Sequence, residues 1–319
     1  MTTPITKKRI VADIRNYIKG NLPKTDRIFC KFEEEDIFKV RIVLFGPKDT
    51  PYQDGAYAFD LRFSKDYPKN PPHVKLVTLY KDWRINPNLY TNGKVCLSLL
   101  GTWQGPSWTS CCTLEHVLIS LQAILNENPI HNEPGWEKEN GKKCRDYNTV
   151  TAYNNIRVGV IQMLLNPPYG FEDFKDILLE QYFKNRDYFY KYLEDNKNMQ
   201  GKKIYSSIYN NGYICDLNWI KDKLAYIDEK YGSSILDTEQ TQKTEQEATL
   251  NNLNVKVPKE STIKIEAQNK KSKPKGTRKS PNESAKQYEV GFEKLSPNDN
   301  RMYVVKLIKN DVKRWVLKK

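Results

Sequence analysis

Apolar residues along this chain change their spacing several times, and each change marks a structural boundary. Ile10, Ile14, Tyr17 and Ile18 recur at helical spacing with Lys7, Lys8, Arg9 and Arg15 around them, which predicts an amphipathic first helix near residues 6–19. The period then drops to two. Val40, Ile42 and Leu44 alternate with Lys39, Arg41 and Val43, and Phe59, Leu61 and Phe63 alternate with Ala58, Asp60 and Arg62, so both segments read as half-buried strands. With the stretches near 27–34 and 74–78 they make a four-stranded antiparallel meander. Thr113 is placed to cap a helix burying Leu114, Val117, Leu118, Leu121 and Ile124. Two further helices follow Asn148 and Gly170, separated by the Pro167-Pro168 break, and another is expected from Tyr213 to Lys230. The fold class is α+β, with helices flanking the meander and a helical extension after it.

Beyond Gly232 the pattern dissolves. Residues 233–285 are rich in Gln, Thr, Asn, Lys and Glu with few large apolar groups, the composition of a disordered linker. Tyr288 to Phe292 and Met302 to Ile308 then offer two short strands. The organisation expected is a core over 1–170, a helical extension over 171–232, a linker over 233–285 and a small basic element over 286–319.

Charge follows the same division. The net charge is +13, and residues 256–319 hold 18 basic against 7 acidic groups, so +11 of it lies there. The run from Lys270 to Lys279 could attract nucleic acid or an anionic surface by charge alone, or simply be a solvated linker. It contains no aromatic residue on which a base could stack. No N-terminal apolar stretch resembles a signal peptide, and no run approaches the roughly 18 apolar residues of a transmembrane helix. Six scattered cysteines without disulfide or zinc spacing favour a reducing compartment, so an intracellular protein is expected, cytoplasmic and with the nucleus left open. Cys112 and His116 could share a helix face, but two ligands do not make a metal site.

One segment carries chemistry. In Arg84 to Trp103, Pro87 fixes its own φ and biases Asn86 toward extended backbone, so Asn86-Pro87-Asn88 should be a rigid turn. Asn92-Gly93 supplies a second turn, and Cys96 follows eight residues after Asn88, between Val95 and Leu97. The flanking apolar residues can anchor the segment while the thiol points the other way. A cysteine in an apolar run is often just a small buried hydrophobe. None of the other five, however, has a comparable turn before it.

This segment resembles the active site of ubiquitin-conjugating enzymes, in which a His-Pro-Asn turn precedes a cysteine by the same interval. Tyr67-Pro68-Lys69-Asn70-Pro71-Pro72 matches the family's Y-P-x-x-P-P motif, and Gly46-Pro47, Thr50-Pro51-Tyr52 and Gly55 match its G-P-x-x-T-P-Y-x-x-G turn. The N-P-N turn, the V-C-L-S run and Glu127-Asn128-Pro129-Ile130-His131-Asn132-Glu133-Pro134-Gly135 are similar to the Z-type branch. The resemblance is close from about Ile5 to Trp136, fades over the next hundred residues and is absent beyond about Gly232.

The resemblance implies the ubiquitin-conjugating fold and a transferase that takes ubiquitin, or a ubiquitin-like modifier, from an activating enzyme as a thioester on Cys96 and passes it to a substrate lysine. No cofactor is implied, since ATP is used by the activating enzyme, which the family's first helix meets, here through Lys7, Lys8 and Arg9. Asn88 either holds the active-site loop or donates to the tetrahedral oxyanion. Asn86 stands where the family has a histidine that braces the turn. Glu133 aligns with the acidic gate residue that positions the incoming lysine and helps shed its proton, with His131 two residues before it. Ser98 replaces an aspartate common in the family. Lys69 and Ser110-Cys111 replace the phenylalanine and the proline-alanine pair that dock RING-type ligases, and Gly101 to Pro106 lengthen the loop, so a ligase with a non-standard surface is expected. Three other readings compete: a catalytically weak ubiquitin-binding scaffold whose basic tail binds nucleic acid, a cysteine hydrolase pairing Cys96 with His131 or His116, and a nucleic-acid-binding protein, which only the tail supports.

Overall fold

The structure is a computed structural model, and it describes residues 4–25, 27–80, 83–206, 208–232, 285, 290, 293–295, 301–308 and 312–317. It comprises two compact units, residues 1–254 and 255–319.

In the first unit, helix α1 (Pro4–Lys19) leads into strands β1 (Ile28–Phe32), β2 (Lys39–Phe45), β3 (Ala56–Arg62) and β4 (His73–Leu76), paired antiparallel in chain order. Ile42 lies opposite Phe59 and Leu44 opposite Tyr57, so the apolar positions of the two central strands share a face. That face joins Ile10 and Tyr17 of α1 and Leu114, Val117, Leu118 and Leu121 of α2 (Leu114–Ala123) in one core. Thr113 does cap α2, through a reciprocal box in which its side chain and backbone engage His116. The buried stripe of α1 runs through Thr6, Ile10, Asp13 and Tyr17, whereas Ile18 is exposed. Asp13 displaces an apolar residue there because Arg9 (2.9 Å), Tyr67 Oη and the Leu114 amide (3.3 Å) all donate to its carboxylate.

The sheet is not half-buried throughout. At the Arg41, Asp60 and Arg62 end the second face is polar, but Val43, Phe45, Ala56 and Ala58 on that face belong to a second core. Its other residues come from the segments that follow. Helix α3 (Lys142–Asn154) runs on as a π-helix over Asn155–Gln162 and a last turn at Met163–Leu165, and α4 spans Lys175–Asp195. Ile156, Val160, Phe174, Leu178, Tyr182 and Phe189 pack there with Leu217, Ile220, Leu224 and Ile227 of α5, residues 217–232. The π-helix is pinned to the sheet by Asn155, whose Oδ1 accepts from Tyr57 Oη (2.6 Å) while its Nδ2 donates to the Gln53 carbonyl (3.0 Å). Gly55 makes this possible, since a Cβ there would lie 1.8 Å from Asn155 Oδ1.

Tyr213 is not part of the last helix. It lies in β6 (Asn211–Ile214), which pairs with β5 (Lys203–Ser206) as a hairpin, and α5 begins four residues later than the spacing predicts. Both strands alternate in burial, but their inward positions are Ile204, Ser206, Asn211 and Tyr213, so the sequence carries no apolar period of two.

In the second unit, β7 (Glu293–Leu295), β8 (Met302–Ile308) and β9 (Val312–Leu317) form an antiparallel sheet in chain order. The partner of β8 is thus Glu293–Leu295, one step after the expected segment, and β9, with Trp315 opposite Val305, was not anticipated. The expected linker and the basic run from Lys270 to Lys279 lie outside the described residues, as does the segment from Tyr288 to Phe292 apart from Val290. Among the described residues no helix is long and apolar enough to cross a membrane.

Candidate active site

The turn after Arg84 is built as its residue types require. Asn86 is fully buried, its Nδ2 donating to Tyr52 Oη (2.9 Å) and to the Ile124 carbonyl (2.7 Å) at the end of α2. Its Oδ1 accepts from the Asn88 amide (2.9 Å) and, at 3.4 Å, from Asn132 Nδ2. Tyr52 in turn donates to the Ile85 carbonyl (3.0 Å), and burial keeps its phenol well above the ordinary range. Asn86 therefore ties the turn, the end of α2 and the 126–133 loop into one network, and uses both ends of its amide to do so.

Asn88 and Cys96 are joined twice. The Cys96 amide donates to the Asn88 carbonyl (2.8 Å), and Asn88 Nδ2 donates to the Cys96 carbonyl (2.7 Å). Asn88 Oδ1 is buried with no hydrogen-bond partner among the described residues. Leu89 pairs with Val95, and the Gly93 turn between them closes through amide bonds from Tyr90 to Lys94 O and from Gly93 to Tyr90 O, both 2.9 Å. Thr102 completes the support: its Oγ1 donates to the Val95 carbonyl (2.7 Å) and accepts from the Leu97 amide (2.9 Å).

Cys96 is itself only 1% exposed, so its thiol is covered. Residues 95–97 lie in no strand with a solvent face. The loop after Gly101 also folds back, bringing Gly105 so near that a Cβ there would sit 3.0 Å from that of Ser98. Among the other cysteines Cys111 is exposed, and burial pushes Cys144 and Cys215 up and Cys30 up to about 12.

Glu133 comes to the same network from the other side. Asn132 donates to the Ile124 carbonyl (3.1 Å) beside Asn86, which fixes the loop carrying Glu133. The Glu133 carboxylate accepts from Tyr209 Oη (2.6 Å) at Oε2, and Arg84 Nη2 lies 3.8 Å from the same oxygen. The Arg84 guanidinium stands 3.9 Å from the Tyr90 ring centroid and 4.5 Å from that of Tyr209, and its Nη2 also donates to the Pro87 carbonyl. Sequence reasoning missed Arg84, Tyr90, Thr102 and Tyr209. The first three lie in or beside the motif and could have been weighed, but Tyr209, in the β5–β6 turn, carries no local signal.

His131 Nε2 donates to the Glu139 carbonyl (2.9 Å), His116 caps α2, and His73 is exposed at the start of β4. Among the described residues none of the three hydrogen-bonds to Cys96, so no Cys–His pair of the hydrolase type is formed among them. No group of three candidate metal ligands occurs among the described residues. On α1, Lys7 and Lys8 are exposed. Arg9 is drawn inward and donates to the carbonyls of Ser110 (2.9 Å) and Cys112 (2.6 Å), bracing the turn that presents Ser110-Cys111. Lys69 is exposed.

The family model for ubiquitin-conjugating enzymes matches residues 10–156. A relative described as "Ubiquitin-conjugating enzyme E2 Z" from Xenopus tropicalis is 37% identical over 198 residues, 61% of this chain and 62% of that protein. The Homo sapiens protein of the same description is 37% identical over 205 residues, 64% of this chain and 57% of that protein. The chain thus spans about three fifths of the length of these curated relatives. A solved structure of human ubiquitin-conjugating enzyme E2 G1, 28% identical, matches with a TM-score of 0.30 over 38% of this chain and 91% of its own.

Proposed function

We propose, from the match of residues 10–156 to the family model for ubiquitin-conjugating enzymes and from the similarity to Z-type relatives, that this chain accepts ubiquitin, or a ubiquitin-like modifier, as a thioester on Cys96. It then transfers the modifier to a substrate lysine, directly or with a ligase. The observation that supports this reading above the others is the double tie between Asn88 and Cys96, which sets one cysteine of six on a rigid, purpose-built turn.

The chemistry uses this chain's residues as follows. The Cys96 sulfur attacks the carbonyl of the thioester brought by the activating enzyme, whose own sulfur leaves with the bonding pair, so acyl activation is preserved. A neutral lysine amine then attacks the new thioester. The tetrahedral oxyanion collapses with loss of the Cys96 thiolate, and the surplus proton of the new amide nitrogen leaves to Glu133 or to solvent. Asn88 Nδ2 is committed to the Cys96 carbonyl, which favours loop-holding as its resting role. Asn86 braces the turn in place of the family's histidine. Because Cys96 is covered, charging requires its cover to move aside.

The test is incubation with activating enzyme, ATP and ubiquitin. The wild-type chain should form an adduct that thiol reductant cleaves, Cys96→Ser an adduct that resists reductant, and Cys96→Ala none. A reductant-sensitive adduct persisting in Cys96→Ala would reject the assignment.

A further inference from the structure

Glu133 is held from outside the segment that the family model matches. The group donating to it belongs to Tyr209, which lies more than fifty residues beyond the matched segment, in the turn of the β5–β6 hairpin. Three features fix Tyr209 there. Its ring packs edge-on to the buried Tyr147 at 6.1 Å, beside a small apolar cluster of Ile130, Cys144 and Trp136. The same ring faces the Arg84 guanidinium at 4.5 Å, and Arg84 is anchored in turn on Tyr90 and on the Pro87 carbonyl. Burial, reinforced by the neighbouring Tyr147 and by Glu133 itself, keeps the Tyr209 phenol protonated at any physiological pH, so its hydroxyl is a permanent donor. One carboxylate oxygen, Oε2, is occupied by this donor with Arg84 alongside. Among the described residues Oε1 takes no hydrogen bond, and the Glu133 side chain remains 26% exposed.

The geometry points to Tyr209 as a positioning residue for the transfer step: its hydroxyl holds Glu133 by one oxygen so that the other is presented to the incoming lysine. This rests on the reading of Glu133 given above and extends it, because the working geometry of the acidic gate then depends on a hairpin beyond the segment the family model matches. Arg84 serves the same end from within the motif. It bridges the Asn86-Pro87-Asn88 turn to Tyr209, so the turn and the gate cannot drift apart independently.

The experiment is a single-turnover cycle on the full chain, charged with ubiquitin and discharged to free lysine. Tyr209→Phe keeps the ring on Arg84 and removes only the hydroxyl. It should leave charging at the wild-type rate and slow discharge by about tenfold, the scale of one hydrogen bond to a charged acceptor. In Glu133→Ala the same Tyr209→Phe change should cost nothing further. The Tyr209→Phe deficit should also shrink from pH 7 to pH 9, as a growing neutral fraction of lysine makes up for a poorly placed carboxylate. If Glu133→Ala slows discharge but Tyr209→Phe does not, or slows it equally in both backgrounds, the inference is wrong and the gate reading stands. If Glu133→Ala discharges at the wild-type rate, the gate reading fails and the inference with it.

Discussion

Asn86→Ala tests the brace most directly. The substitution removes a side chain with no exposure and four hydrogen bonds, three of them at 2.7–2.9 Å. Its partners fare differently. The Ile124 carbonyl keeps Asn132 as a donor at 3.1 Å, and Tyr52 Oη keeps its bond to Ile85, so neither is orphaned. The Asn88 amide is, and a buried donor left unpaired costs about 1–3 kcal/mol. Adding two net hydrogen bonds at about 1 kcal/mol each gives a loss of about 3–5 kcal/mol. For a domain of this size that is a fall in Tm of about 6–20 °C. Asn86→Asp should do no better. Its carboxylate can accept from the Asn88 amide, but it cannot donate to Tyr52 or Ile124 and sets a charge against a carbonyl. Urea denaturation followed by tryptophan fluorescence gives the stability, and the rate of adduct formation with activating enzyme gives the function. A loss below about 1 kcal/mol with unchanged charging would show that the turn holds itself and that Asn86 braces nothing.

Asn88→Ala and Glu133→Ala should form the thioester at the wild-type rate but discharge it slowly to lysine, with Glu133→Ala partly rescued as pH rises; unchanged single-turnover discharge in both would remove their assigned roles. The Cys30 thiol, pushed up to about 12 by burial, stays neutral in the fold while an unfolded cysteine ionises near pH 8.5–9. Its stabilising contribution is therefore complete below about pH 8.5 and is lost progressively as pH rises toward 12. Denaturation of wild type and Cys30→Ala should converge in their alkaline slopes only if another group dominates that range; a shallower slope in Cys30→Ala is expected. Removing residues 233–319 should leave thioester formation intact and abolish any salt-sensitive association with nucleic acid or anionic vesicles. A truncated chain that cannot be charged would assign that segment to the catalytic fold.

Periodicity sufficed to place α1, the meander and α2, through Ile10 and Tyr17 in the first, Val40, Ile42, Leu44, Phe59 and Leu61 in the strands, and Leu114, Val117, Leu118 and Leu121 in α2. The Asn86 to Cys96 turn was legible for a different reason: proline, asparagine and glycine write backbone geometry into the sequence locally. What stayed hidden depends on distant partners. Val43 and Ala58 gave no sign of a second buried face, since small or branched residues suit either side of a strand and only α3 to α5 decide the matter. Asp13 reads as a polar face residue until Tyr67, Arg9 and the Leu114 amide are seen to converge on it. The Tyr209 contact is the extreme case, a single hydroxyl meeting a carboxylate across 76 residues of chain.

The second buried face of the sheet separates two meanings of the word domain. The family model's match stops at residue 156, yet a chain cut there would end two residues into the π-helix and leave Val43, Phe45, Ala56 and Ala58 bare. Fully burying one valine or phenylalanine is worth about 1.5–3 kcal/mol, so uncovering such a patch forfeits a large share of the 5–15 kcal/mol that holds an ordinary domain together. The span that the family model marks out is therefore shorter than the unit whose cores are covered. Any fragment made for expression, and any insertion or fusion, should respect the longer one, which runs to the end of α5.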